Sequence, residues 1–132
     1  MQQAILALID RLGGGVSFVE LGQSIAGFAG ERDCLLNAHL IVWQGVSEAA
    51  ITALNALQHS RQIVFLPCTA LVYVIDGKTL RLPIAKRRDH PYQRPAWYPV
   101  TLSTPAQLVA HTSPLQQARR TGRGLADAPR PS

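Results

Sequence analysis

Apolar positions recur at helical spacing in the first half of the chain and at extended spacing in the second. Ile5, Leu8, Ile9 and Leu12 fall at i, i+3, i+4 and i+7, which places one apolar stripe on a first helix. Gly13, Gly14 and Gly15 follow and stop it, because glycine enters left-handed backbone without a Cβ clash. Ser17 and Glu20 have the spacing of a capping box, in which each side chain takes a backbone amide of the other residue. A second helix therefore carries Phe18, Leu21, Ile25 and Phe28 on one face and ends at Gly30; a short strand at 16–18 competes for its start.

Residues 40–43, Leu-Ile-Val-Trp between Asn37 and Gly45, read as a short buried strand. Ser47 is a good N-cap and Glu48 suits a helix N-terminus. The third helix, 47–59, buries Ala50, Ile51, Leu54 and Leu57 and turns Thr52, Asn55 and His59 outward. From Gln62 the period becomes extended. Residues 63–66, 71–75 and 79–84 are rich in Val, Ile, Tyr and Phe and predict three strands. Asp76-Gly77 is a favoured two-residue hairpin turn, and 67–70 makes the other connection, giving a three-stranded antiparallel meander.

The pattern changes after Ala85. Residues 86–99 are basic, aromatic and punctuated by Pro91, Pro95 and Pro99, which forbids a helix and favours an extended arm. Thr104-Pro105 and Ser113-Pro114, each with a Gln three residues after the cap, predict two short helices, 105–111 and 114–121. The final residues to Ser132 read as a mobile tail. The organisation expected is a 1–85 α+β domain, an 86–102 arm and a 103–132 region of short helices and basic tail.

Charge sharpens this division. Residues 1–60 hold two Arg against five carboxylates (−3), whereas 61–132 hold eleven Lys or Arg against three Asp (+8). Such asymmetry draws polyanions to one part of the molecule. The basic set is nearly all Arg and Ala is abundant, a composition that suits a GC-rich prokaryotic or viral genome. Cys34 and Cys68 lack metal-type spacing and read as reduced thiols. The N-terminal apolar stretch, broken by Asp10 and Arg11, fits neither a signal peptide nor a membrane span, which points to the cytoplasm.

The order helix, helix, short strand, helix and strand meander over residues 2–85 resembles the winged-helix family of DNA-binding domains. The resemblance implies a third helix in the major groove and a hairpin wing on the phosphate backbone. Carried over, the reading helix is 47–59 and the wing is the loop at 67–70 or at 76–78. Thr52, Asn55 and His59 become the groove residues, with Asn55 suited to an adenine edge. Lys78, Arg81, Lys86, Arg87, Arg88 and Arg94 become phosphate contacts. In the arm, Tyr92, Trp97 and Tyr98 either stack on bases or anchor the arm on the domain or a second subunit.

One departure matters: no Lys or Arg lies between Ser47 and Ser60, and Glu48 opens the helix. A protein–protein adapter or homodimer module is therefore the alternative to a duplex-DNA binder. No catalytic constellation emerges. The histidines at 39, 59, 90 and 111 and the two cysteines do not form close ligand pairs, and no serine has a nucleophile-elbow context. The chain reads as a non-enzyme without metal or cofactor.

Overall fold

The computed structural model describes residues 1–111, with side chains described as far as Val109. The expected helix at 114–121 and the tail to 132 lie outside the described residues. The fold is α+β. Its helices are α1 (Gln2–Leu12), α2 (Phe18–Ser24), α3 (Glu48–His59), α4 (Leu71–Asp76) and α5 (Pro105–His111). Its strands are β1 (Ala29–Leu35), β2 (Leu40–Val46), β3 (Val64–Pro67), β4 (Ala96–Trp97) and β5 (Val100–Ser103).

Local caps fix most helix starts. The Ser17 hydroxyl accepts from the Glu20 amide at 3.2 Å, and the Glu20 carboxylate accepts from the Ser17 amide at 3.0 Å. Ser47 caps α3 through the Ala50 amide at 3.1 Å. Thr104 and Gln107 repeat the reciprocal pattern before α5, and the Gln107 amide group donates to the Ile9 carbonyl, tying α5 to α1. Helix α2 is shorter than the expected run to Phe28. Ile25 is already extended and Gly27 turns at φ 80°. Phe28 is still buried, and its carbonyl accepts from the Ser47 amide at 2.8 Å, which commits it to the entry of β1.

Strand β1 occupies residues expected as a loop. It pairs antiparallel with β2 through an irregular register, bulged between Ala29 and Arg32, between Arg32 and Asp33, and between Cys34 and Leu35. Only its Cys34 is buried. The Asn37 side chain builds the turn by accepting the His39 and Leu40 amides. β2 is the central strand of a three-stranded sheet in the order β1-β2-β4, with β4 parallel to it. A second sheet pairs β3 with β5 antiparallel, and Val16 bridges the other edge of β5 at Leu102.

The expected three-stranded meander is not formed. Only β3, from the 63–66 run, is a strand, and its partner is β5. Residues 71–75 become α4 and do not add to the β3–β5 sheet; the helix satisfies its own amides and carries Tyr73 inward, where its hydroxyl meets Phe18 and Val100. Asp76-Gly77 is accordingly a helix stop and not a hairpin turn: Gly77 is left-handed at φ 90°, and Lys78 N–H donates to the Tyr73 carbonyl at 3.1 Å. Residues 79–84 contribute one parallel bridge, Ile84 to Trp97.

The arm is also corrected. Its first part, to Pro95, is irregular, but every residue from 96 to 103 is buried and runs through both sheets as β4 and β5. The boundary expected after residue 85 therefore crosses a single core. That core is strongly aromatic: Trp43 lies 4.9 Å from Tyr73 and 6.0 Å from Trp97 between ring centroids, and Phe18 meets Phe28, Trp43 and Phe65.

Candidate nucleic-acid interface

Helix α3 buries Ala50, Ala53, Leu54 and Leu57, so its remaining face is dictated by the 3.6-residue period. Thr52, Asn55 and His59 lie exposed there, in line with Glu48. The Glu48 carboxylate pairs with Arg32 of β1 at 3.6 Å, with both side chains largely in solvent. An open groove beside the first turns is lined by Met1, Gln2, Glu48, Ala49, Thr52 and Ala53. The face offers amide, hydroxyl and imidazole groups but no cation from α3 itself.

The cations stand elsewhere. Residues 68–99, which connect β3 to β5, carry Lys78, Arg81, Lys86, Arg87, Arg88 and Arg94 against Asp76 and Asp89. All six basic side chains are exposed. Lys78 holds its ammonium 6.0 Å from the Trp43 ring centroid, within range of a cation–π attraction. The Arg87 Nε donates to Asp89 at 3.4 Å. Arg81, Lys86, Arg88 and Arg94 form no ion pair with the described residues. Asp76 accepts the Ser17 hydroxyl at 2.5 Å, which directs its carboxylate towards the start of α2.

The root of the segment is locked. Tyr73 is fully buried; its hydroxyl donates to the Val100 carbonyl at 2.6 Å and accepts the Phe18 amide at 3.1 Å. Burial raises its ionisation far above the ordinary tyrosine range, and the nearby Cys68, Asp76 and Glu20 reinforce this. This anchor of Tyr73, Asp76 and Ser17 escapes sequence reading, since its bonds span 55 and 59 positions and no local spacing signals them.

Three expected contact residues change role. Trp97 is 1% exposed and Tyr98 is buried, so neither offers a face for stacking on a base; both anchor the segment in the core, the other reading that the sequence allowed. Burial pushes the Tyr98 hydroxyl up, while the Arg88 guanidinium draws it down. Tyr92 is half-buried, with its hydroxyl accepting the Lys86 and Arg87 amides. It holds the loop together.

No family model, no curated protein and no solved structure matches this chain. The candidate residues fall into two groups. The loop of 86–95 joins the sheet where Ala96 pairs with Leu40, at the start of β2, whereas α3 departs from the far end, after Val46. A seven-residue strand separates those ends by about 20 Å. Among the described residues no three His, Cys, Asp or Glu gather in a metal-holding group, and no helix is long and apolar enough to cross a membrane.

Proposed function

We propose that the protein is a cytoplasmic DNA-binding regulator or accessory protein that grips the phosphate backbone of a duplex through residues 68–99, on a winged-helix-like frame. One observation carries this reading: the antiparallel pair that follows α3 is β3–β5, and the whole excursion between those strands is the basic segment. In the winged-helix order, that excursion occupies the position of the wing. The frame is then α1, the Val16 bridge, α2, α3, β3 and β5, with the wing much longer than either short loop expected from the sequence. Phosphate contacts come from Arg81, Lys86, Arg87, Arg88 and Arg94, with Lys78 at the root. Thr52, Asn55 and His59 on α3 read the groove, without a cation of their own.

Binding of this kind releases counterions, so affinity falls steeply with salt, by a slope of about 0.9 per phosphate contact. Fluorescence anisotropy on a labelled duplex across a salt series tests it. Arg87→Ala with Arg88→Ala should weaken binding on every sequence and reduce the slope by about 2, whereas Asn55→Ala should alter preference among sequences. Absence of duplex binding at low salt removes the proposal.

A second reading, a protein–protein adapter or oligomerising module, draws on α4. Leu71, Val74 and Ile75 lie at i, i+3 and i+4 and are 62%, 57% and 76% exposed, an apolar face turned to solvent on a helix whose other side is pinned. Light scattering on the same samples decides it. A mass above the monomer that reverts in Ile75→Ser, together with no DNA binding, favours the adapter.

A further inference from the structure

The basic loop is closed at its neck and braced within. At the neck, the Ala85 amide donates to the Trp97 carbonyl at 2.7 Å, the Trp97 amide to Pro83 at 2.8 Å and the Ala96 amide to His39 at 2.9 Å. Inside, the Tyr92 hydroxyl accepts from the Lys86 amide at 3.1 Å and the Arg87 amide at 3.3 Å. The Tyr92 amide donates to the His90 carbonyl at 3.0 Å, and the two rings meet edge to face at 4.5 Å. One phenol oxygen thus fixes the backbone from which two consecutive cations project. Those amides sit in an exposed turn that water would otherwise solvate, and a ten-residue excursion without such a brace samples many conformations.

We infer that Tyr92 is a positioning residue that presents Lys86, Arg87 and Arg88 as a preformed turn for successive phosphates of a duplex. This rests on the nucleic-acid reading above and adds to it. The tyrosine touches no phosphate and stacks on no base; it reduces the conformational freedom that the loop must lose on binding. The Arg87–Asp89 contact, 3.4 Å through Nε, complements it by orienting one guanidinium and leaving that group's other N–H donors for an anion.

Tyr92→Phe removes the hydroxyl and keeps the ring. Amide exchange at Lys86 and Arg87, followed in the free protein by NMR, should be slowed in the parent and accelerate in the variant. Duplex affinity should fall roughly three- to tenfold, the scale of one or two modest hydrogen bonds, with the salt slope unchanged because no phosphate contact is lost. Arg87→Ala with Arg88→Ala serves as the contrast, since it lowers the slope. Unchanged exchange in Tyr92→Phe, or faster exchange with undiminished affinity, overturns the positioning role and leaves the DNA reading standing. A reduced slope in Tyr92→Phe also overturns it, by making the tyrosine itself a contact. If the parent protein binds no duplex, the nucleic-acid reading falls and takes this role with it, whatever the exchange rates.

Discussion

Tyr73→Phe isolates the hydroxyl that joins α2, β5 and α4. The substitution keeps a ring of nearly the same shape 4.9 Å from Trp43 and 5.3 Å from Trp97, so no cavity of consequence opens. What it removes is the partner of two backbone groups. Phe18 opens α2, where the first amides have no intrahelical acceptor, and Ser17 already spends its hydroxyl on Glu20. The Phe18 amide and the Val100 carbonyl therefore each lose the bond that Tyr73 gives them, in a buried setting. Each such group costs about 1–3 kcal/mol when stranded. Relief of burying the hydroxyl returns part of that, leaving a net loss of about 2–4 kcal/mol. That is a large part of the roughly 5–15 kcal/mol available to an ordinary domain. Urea unfolding followed by the fluorescence of the two tryptophans, both buried in this cluster, measures it. The midpoint should drop at constant m-value. A change under about 0.5 kcal/mol would refute the reasoning, because it would mean that the two groups are satisfied without the phenol.

Gly30→Ala should also destabilise the fold, by about 2–3 kcal/mol in a thermal melt: a Cβ there would lie 2.5 Å from Ser47 Cα and 2.7 Å from its nitrogen, so the backbone at the start of α3 must move. An unshifted Tm contradicts this. Burial raises the Cys34 thiol from 9.0 to about 11, so in native protein near pH 8 a thiol reagent should leave Cys34 unmodified, as peptide mapping would reveal. The sign of the linked stability follows: the contribution is whole below about pH 9, and it declines as pH rises towards 11, because the unfolded thiol ionises first. Cys34→Val should flatten that decline.

Local chemistry was legible in the sequence. The Ser17–Glu20 box, the Ser47 cap and the Thr104–Gln107 pair all act within three residues, and the structure forms each of them. The stripe of Thr52, Asn55 and His59 followed from helical period alone. Long-range choices were not legible. Leu-Val-Tyr-Val-Ile has strand-like residues, yet its backbone is helical and holds Tyr73 inward through bonds to Phe18 and Val100, contacts too distant in sequence for any local spacing to signal. Gly77 could not arbitrate, since a left-handed glycine ends a helix as well as it turns a hairpin. Strand β1 was hidden by Gly30, Glu31, Arg32 and Asp33, whose polarity reads as a loop; β2 recruits them as an antiparallel partner. In the arm, the prolines correctly excluded a helix, but they gave no sign that Trp97 and Tyr98 would be sealed in the core.

The bulged outer strand β1 bears on how copies of this chain meet. Growth of a sheet from molecule to molecule needs a straight row of free amides and carbonyls, with side chains that tolerate being covered. Here the three register breaks interrupt the row, and Glu31, Arg32 and Asp33 would have to surrender their water to any incoming strand. This border is therefore a poor template for fibril-like extension in concentrated solution.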